Sequence, residues 1–187
     1  MNEFWCEKGH FNVDQANFFR KLLNEHEPEY VLETGFCTGR SSSTVLTNTN
    51  KLKKMISIDQ NFDYMSPEGR KFQKLLEDNF ETFSTIENSS KKVLNDDFFK
   101  KEFPNGVDWF TIDGDHSYDG CLFDLKSTVG HMNKNGVMII DDYESGPPNG
   151  CSIPEVTRAC DDFFEEHQYL TKTKWNLKGK GFCIFKK

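Results

Sequence analysis

Four short apolar runs in the sequence each end on an acidic residue, and segments with helical spacing separate them. The runs and their acids are Tyr30–Leu32 with Glu33, Lys54–Ile58 with Asp59, Val107–Ile112 with Asp113, and Gly136–Ile140 with Asp141. Strands that alternate with helices form right-handed crossovers and a mainly parallel sheet. In such a sheet, ligands bind outside the carboxyl ends of the strands. We therefore expect the acids to lie on one rim, where they repel each other unless a cation or a hydroxyl-bearing ligand separates them.

The complete pattern predicts an α/β fold with a doubly wound, mainly parallel, seven-stranded sheet and helices on both faces. The fully apolar run 136–140 is typical of a strand that is covered on both faces. A weak strand is predicted at 82–86, one helix across 89–102, and a long helix whose apolar face runs from Tyr118 to Met132. The tail alternates weakly about a turn at 176–180, which predicts a C-terminal antiparallel hairpin.

Length and composition predict one domain with no membrane segment. The chain is 187 residues long, so we expect a single domain 1–187, with a lead-in and helix at 1–28 and an α/β core at 29–187. Its 23 basic and 30 acidic residues, with net charge −7, argue against a nucleic-acid binder or an anionic-membrane binder. No apolar run is long enough for a membrane span or a secretory signal. Six scattered cysteines without a C-x-x-C pair fit free thiols and a cytoplasmic location.

The segment Val31–Ser43 predicts a ligand-binding turn between a strand and a helix. Gly35 and Gly39 let the backbone turn tightly and approach a ligand closely. Ser41 and Ser42 can cap the following helix, whose free N–H groups favour an anionic group. The segment indicates a small charged ligand, with a ligand-free strand–helix turn as the alternative.

The glycine spacing separates two classes of nucleotide site. An acid about 20 residues after the glycines, here Asp59, can bind ribose hydroxyls. It also occurs in dinucleotide sites, so Asp59 alone does not distinguish the two classes. The pattern Gly35-x-x-x-Gly39 lacks the middle glycine that lets a pyrophosphate approach, which disfavours a dinucleotide. The motif E-x-G-x-x-x-G, with Asp59 closing the next strand, instead resembles the cofactor site of class I S-adenosylmethionine-dependent methyltransferases.

This resemblance implies a Rossmann-like methyltransferase fold and a set of cofactor-binding residues. Glu33 and the Gly35–Gly39 loop would lie against the methionine portion, Asp59 would bind the ribose, and Ser89 and Ser90 would contact adenine, although serines before a helix can also be plain caps. The implied cofactor-binding set is Glu33, Thr34, Gly35, Gly39, Ser41, Ser42, Asp59, Ser89, Ser90 and Asp113.

The second half of the chain is similar to the divalent-metal-dependent O-methyltransferases. The segments Phe110–Leu125, with its D-G-D-H-S-Y block, and Gly136–Pro148 look like the sugar O-methyltransferase and cephalosporin hydroxylase-like group, and the resemblance covers 30–166. It implies that Asp113, Asp141 and Asp142 bind Mg²⁺ or another divalent cation, and that Asp115 or His116 is the base. Hard cations prefer carboxylate oxygens, which agrees with this set. The alternative is that these acids cap a turn and a helix.

The resemblance implies methyl transfer to a hydroxyl of a small molecule such as a sugar, a polyol or a catechol-like compound. Three rivals stay open: a metal-independent methyltransferase, a nucleotide-dependent oxidoreductase and a cofactor-binding module without catalysis. The core carries no long insertion to build an acceptor pocket, so a second subunit could complete it as a homodimer.

Overall fold

The computed structural model describes residues 3–64 and 66–187; the first two residues of the predicted lead-in lie outside the described residues. The helices are α1 (Val13–His26), α2 (Arg40–Asn48), α3 (Pro67–Asn79), α4 (Ser90–Val93), α5 (Asp96–Glu102), α6 (Tyr118–Val129) and α7 (Pro154–Glu166). The strands are β1 (Tyr30–Thr34), β2 (Lys54–Asp59), β3 (Phe83–Glu87), β4 (Val107–Ile112), β5 (Met132–Asp141), β6 (Thr171–Leu177) and β7 (Lys180–Lys186).

The strands form one seven-stranded sheet in the order β3-β2-β1-β4-β5-β7-β6. The strands β1 to β5 pair in parallel, whereas β7 pairs antiparallel with both β5 and β6. The predicted fold class, including the C-terminal hairpin, is confirmed. Because β1 lies between β2 and β4, the strand order reverses beside β1, which is the position where open α/β sheets bind ligands.

The sheet is covered on both faces, and successive strand residues point to opposite cores. Leu32 and Phe110 face a core built with α5, α6 and α7, whereas Val31 and Trp109 face a core built with α1, α2 and α3. The four side chains are completely buried. This double coverage explains why the central part of these strands is mostly apolar, as in 137–140 of β5.

Two predicted boundaries are wrong. The single helix predicted across 89–102 is divided into α4 and α5, because the Asn95 side chain accepts a hydrogen bond from the Phe98 N–H at 3.0 Å and starts a new helix. The apolar face of α6 ends at Val129, and Met132 belongs to β5, where it pairs with Val107 of β4. Met132 is buried, and a buried methionine suits a helix as well as a strand, so its hydrophobicity alone did not distinguish α6 from β5.

The N-terminal helix begins with a capping box. Asn12 Oδ1 accepts from the Gln15 N–H at 2.9 Å, and Gln15 Oε1 accepts from the Asn12 N–H at 2.9 Å. These bonds fix the first turn of α1 over the edge of the sheet where β5 ends.

Across residues 3–64 and 66–187, the helices are all too short or too polar to cross a membrane.

Candidate functional site

Glu33 lies at the carboxyl end of β1, where it is completely buried and surrounded by serine hydroxyls. Ser57 of β2 donates to Oε2 at 2.6 Å, while Ser41 and Ser42 of α2 donate to Oε1 and Oε2. Burial raises the pKa of Glu33 to about 7, although the three hydroxyls act in the opposite direction. The serines expected to cap α2 therefore bind this acid instead; the N-cap is Gly39.

The loop after β1 is shaped by its glycines. Gly35 and Gly39 have φ angles of 88° and 70°, in the left-handed region that favours glycine. A Cβ atom on Gly35 would lie 1.9 Å from the Asp113 carbonyl oxygen, and one on Gly39 would lie 2.5 Å from the Phe36 ring. The close approach of Gly35 is thus to the backbone after β4, so the loops that follow β1 and β4 are in direct contact.

Asp59, at the end of β2, holds this loop in its shape. Its Oδ2 accepts from the backbone N–H groups of Phe36 at 2.8 Å and Cys37 at 3.1 Å, and its Oδ1 accepts from the Asn61 N–H at 2.9 Å. The residue is half-buried, and three of its four lone-pair sites are used by these bonds, so one site on Oδ1 is left for a further donor. Asp59 is therefore able to accept a hydrogen bond from a ligand while it fixes the loop.

The predicted acids at the ends of β4 and β5 converge with a histidine. The ligand atoms of Asp113, His116 and Asp142 all lie within 4.8 Å of one another. His116 Nε2 is 3.0 Å from Asp113 Oδ1, and His116 Nδ1 is 3.6 Å from Asp142 Oδ2. The hydrogen bond with Asp113 raises the pKa of His116 to about 9, against the effect of burial, and the charges of Asp142 and Asp141 add to the increase. Without a bound cation, His116 is protonated at neutral pH.

Asp141 faces away from this group, although it was assigned to the metal by resemblance. Its Oδ1 and Oδ2 are 3.0 and 3.1 Å from Gln15 Nε2, and Oδ1 also accepts from the Asp142 N–H at 2.7 Å. Burial raises the pKa of Asp141 well above its usual range, and the charges of Asp113 and Asp142 raise it further. The neighbouring Asp142 has a φ of 61°, which turns its side chain towards His116.

Asp115 and His116, the two predicted bases, have different surroundings. Asp115 is exposed, and its Oδ1 accepts from the Ser117 N–H at 3.0 Å at the start of α6. Lys91 Nζ lies 3.4 Å from Asp115 Oδ2. Partial burial works to raise the pKa of Asp115, but the bonds from Ser117 and Lys91 outweigh it and lower that pKa. His116, half-buried between Asp113 and Asp142, is closer to the acid cluster.

Behind the loops that follow β1 and β3, an acid that the motifs did not single out is buried. Asp124 of α6 is completely buried, and within the described part of the chain neither of its oxygens has a hydrogen-bond partner. Burial raises its pKa to about 6, and the nearby hydroxyls of Ser90 and Thr34 lower it without completing an ordinary hydrogen bond. Ser89 precedes Ser90 as the N-cap of α4. A signal was present: Asp124 follows the buried Cys121 by three residues, which is a core spacing.

Two further polar residues reach the site from distant parts of the chain. Gln15 completes the capping box of α1, and its amide also holds Asp141. Lys180, the first residue of β7, is 8% exposed and its Nζ lies 3.8 Å from Asp142 Oδ1. No local motif marks either residue, because each is brought to the rim by the sheet order.

Arg40, the first residue of α2, fastens the lead-in segment beside the glycine loop. Its guanidinium donates to the carbonyl oxygens of Cys6 at 2.6 Å, Gly9 at 2.8 Å and Phe11 at 2.9 Å, and lies over the Trp5 ring. The lead-in segment is therefore attached to the element that follows Gly39.

Comparison with known proteins identifies the family. A family model described as a methyltransferase domain matches residues 32–143, more than half of the 187-residue chain. The uncharacterized protein R132 of Acanthamoeba polyphaga mimivirus is 30% identical over 161 residues, which cover 82% of this chain and 67% of that protein.

Solved structures share the fold. An O-methyltransferase from Bacillus cereus in complex with SAH has a TM-score of 0.76 and 12% identity, over 96% of this chain and 84% of its own. TomG from Streptomyces achromogenes, an O-methyltransferase involved in tomaymycin synthesis, in complex with SAM, has a TM-score of 0.73 and 13% identity, over 94% and 80%. SAH-bound PaMTH1 from Podospora anserina has a TM-score of 0.67 and 17% identity, over 92% and 78%. The methyltransferase resemblance read from the sequence is thus confirmed, and the chain belongs to the methyltransferase domain family.

Proposed function

We propose that this protein transfers a methyl group from S-adenosylmethionine to a hydroxyl oxygen of a small molecule, with a divalent cation bound by the acids at the ends of β4 and β5. The observation that carries the proposal is the contact between the two loops. A Cβ on Gly35 would lie 1.9 Å from the Asp113 carbonyl oxygen, so the glycine loop and the acid cluster are immediate neighbours. A methyl donor on one loop and an acceptor at the other are then within reach of each other.

The residues around the glycine loop fit S-adenosylmethionine. Asp59 Oδ1 has one lone-pair site left for a ribose hydroxyl, and the carboxylate already orders the backbone of the loop. Glu33, Ser41 and Ser42 form a hydrogen-bonded polar group beneath the loop, close to where the methionine portion would lie. Ser89 and Ser90, at the start of α4 after β3, are available to adenine. Two solved structures that contain SAH or SAM share this fold.

The acid cluster fits a divalent cation. Within residues 3–64 and 66–187, no hydrogen-bond partner reaches Oδ1 of the buried Asp142, although Lys180 Nζ lies 3.8 Å away, so the carboxylate keeps lone pairs for a cation. Asp113 and His116 supply the other ligand atoms within 4.8 Å. Carboxylate oxygens suit Mg²⁺, and the imidazole extends the choice to Mn²⁺ and other transition metals. Asp141 supports the cluster from behind, since its oxygens are taken by Gln15 and by the backbone of the next residue.

In the proposed reaction, one bond forms at the acceptor oxygen while the carbon–sulfur bond breaks and its electron pair stays on sulfur. When bound, S-adenosylmethionine supplies the methyl group on a cationic sulfur, and a divalent cation supplies a Lewis acid that lowers the pKa of the hydroxyl. The hydroxyl proton must go to a base. We assign that role to Asp115 where His116 binds the cation, and to His116 where Asp113 and Asp142 hold the cation without it. His116 accepts a proton only when neutral, a state that is favoured once the negative charges beside it are compensated.

Isothermal titration calorimetry tests both halves of the site. S-adenosylhomocysteine binding is expected to be lost in Asp59→Ala, and Mg²⁺ binding in Asp142→Asn, while Asp97→Asn, an exposed acid on α5, binds both as the wild type does. Formation of S-adenosylhomocysteine is then measured with a panel of sugars, polyols and catechols. Undiminished binding in Asp59→Ala and Asp142→Asn would contradict the assignment.

A metal-independent methyltransferase is the second candidate, and one observation favours it. His116 and Lys180 are two cationic partners that already lie against Asp113 and Asp142. A chelator separates the candidates, because turnover that is unchanged in EDTA supports the metal-independent enzyme. A cytoplasmic location, the absence of nucleic-acid and membrane partners, and a homodimer that completes the acceptor pocket stay predictions.

A further inference from the structure

Lys180 is a buried cation at the edge of the acid cluster. Its side chain is 9% exposed, and its Nζ lies 3.8 Å from Oδ1 of Asp142, whose own side chain is 10% exposed. Lysine is almost never this buried unless it is paired. The pair is unusual in its geometry, because 3.8 Å is an ionic contact and too long for a hydrogen bond.

The backbone fixes Lys180 in this position. The turn between β6 and β7 is bound to the loop that follows Asp142: Gly146 N–H donates to the Gly179 oxygen at 2.8 Å, and Gly181 N–H donates to Ser145 Oγ at 3.0 Å. A Cβ on Gly179 would lie 1.9 Å from the Gly146 oxygen, so the two segments touch backbone to backbone. The approach of Lys180 to Asp142 is therefore a property of the fold and not of one flexible side chain.

Lys180 places a positive charge beside a carboxylate that would bind a metal ion. Asp142 is buried beside Asp113 and Asp141, and Lys180 brings a positive charge to within 3.8 Å of its carboxylate. The oxygen nearest to Lys180 is also the one that has no hydrogen-bond partner among the described residues. The other oxygen, Oδ2, lies 3.6 Å from His116 Nδ1, so a divalent cation at the cluster would share the Asp142 carboxylate with Lys180 and would be repelled by its ammonium group.

We propose that Lys180 is a positioning residue that holds Asp142 ready in the metal-free site and competes with the divalent cation for the Asp142 carboxylate, so that it sets the affinity for the metal. This inference rests on the proposed function, because it needs a cation at Asp113, His116 and Asp142. The two possible roles of Lys180 predict opposite results. Removing a structural partner of Asp142 weakens metal binding, whereas removing a competitor of the metal strengthens it.

The test is a calorimetric titration of the protein with Mg²⁺ alone, without S-adenosylmethionine or acceptor. Lys180→Met is expected to bind Mg²⁺ about tenfold or more tightly than the wild type, because a unit charge within ~5 Å of a divalent ion opposes it even at water-like permittivity. Lys180→Arg keeps the charge and should stay within about threefold of the wild type. Lys178→Met is the matched control, since it removes one positive charge from an exposed position of the same hairpin and should change the affinity less than about twofold.

Equal or weaker Mg²⁺ binding in Lys180→Met, in a variant whose circular dichroism matches the wild type, would overturn the inference. If Lys180→Met does not fold, Lys180→Gln is used, and the same direction of change is required. Failure of the proposed function looks different. If neither the wild type nor the Lys180 variants bind Mg²⁺ while S-adenosylhomocysteine still binds, then the metal assignment and this inference both fall, and the metal-independent methyltransferase stands.

Discussion

Gln15 Nε2 lies 3.0 Å from Oδ1 and 3.1 Å from Oδ2 of Asp141, although the two residues are 126 positions apart in the chain. The same glutamine uses its Oε1 to complete the capping box of α1. One amide group therefore starts a helix and holds a buried carboxylate of the candidate site. This hydrogen bond holds the Asp141 carboxylate against α1, and in the proposed site it leaves Asp113, His116 and Asp142 for a cation.

Replacing Gln15 separates its two tasks. Gln15→Glu keeps an oxygen for the capping box but has no N–H to donate, so two carboxyl groups face each other in a buried space. We expect destabilisation of about 1–3 kcal/mol at pH 5.5 and a larger loss at pH 8, where both groups tend to ionise. Urea unfolding at the two pH values measures this. The control Asn12→Ala removes the cap alone and should cost about 1 kcal/mol at both pH values. A Gln15→Glu protein as stable as the wild type at pH 8 would contradict this account.

The ligand set can be divided by single amide substitutions. If the cation binds Asp113, His116 and Asp142, then Asp142→Asn should eliminate measurable Mg²⁺ binding. Asp141→Asn, which changes a supporting group, should weaken binding only about tenfold. Calorimetry on the two variants decides between this set and the set implied by the resemblance, because loss of all binding in Asp141→Asn would favour direct ligation by Asp141.

The high pKa of His116 should respond to the cation. In the metal-free protein, we expect the His116 ring protons to titrate with a pKa of about 9, as followed by NMR. Because the folded pKa is raised above the usual value of about 6.5, His116 stabilises the fold fully below pH 6.5, and this contribution is lost as the pH rises through 9. Saturating Mg²⁺ should lower the pKa, since it offsets the charges of Asp113 and Asp142. A titration curve that Mg²⁺ does not move would show that the cation, if bound, is elsewhere.

Glu33 should make the protein less stable as the pH rises. Its pKa is raised from 4.5 to about 7, so the folded state holds more protons than the unfolded state between these values. The free energy of unfolding therefore falls as the pH rises from 4.5 to 7, by about 3 kcal/mol for a shift of this size. Glu33→Gln removes the titration, and the difference in stability between the variant and the wild type should move in favour of the variant over that range. Urea unfolding from pH 4.5 to 8 provides the measurement, and a constant difference would refute it.

Gly35 should not tolerate a methyl group. Gly35→Ala forces a φ of 88° on a residue with a Cβ and drives that atom to 1.9 Å from the Asp113 oxygen. Strain of about 1–3 kcal/mol adds to the clash, so we expect a large loss of stability and of S-adenosylhomocysteine binding in thermal unfolding and calorimetry. Gly130→Ala is the control, because no described atom lies within 4 Å of its Cβ position and its φ is −65°. It should be neutral or stabilise by up to about 1 kcal/mol.

The sequence predicted the rim but not the directions of its side chains. The acids after β1, β2, β4 and β5 lie at one edge because parallel strands bring their carboxyl ends together, and this needs only the order of helices and strands. Asp141 and Asp142 are adjacent, so they point apart, and which one faces the cluster depends on Gln15 and on the left-handed φ of Asp142. Neither the contact with Gln15 nor the φ of Asp142 can be read from the local sequence.

The contributions of distant residues were equally hidden. Lys180 reaches Asp142 because β7 inserts beside β5, and a hairpin predicted from weak alternation does not reveal that position. Asn95, by contrast, was a readable signal. It is a good N-cap residue in the middle of an otherwise helical stretch, and it divided the predicted helix 89–102 into two.

The contact between Gly35 and the Asp113 carbonyl has a consequence for how enzymes of this kind can diverge. Backbone atoms alone set the spacing between the glycine loop and the acid cluster, and no side chain at position 35 can adjust it. In the proposed function, variation in acceptor preference falls to segments near the cluster that this contact does not fix, such as the loop 144–150, which follows Asp142 and is bound to the hairpin turn. Those segments can vary in sequence and length while the distance over which a methyl group travels is inherited unchanged.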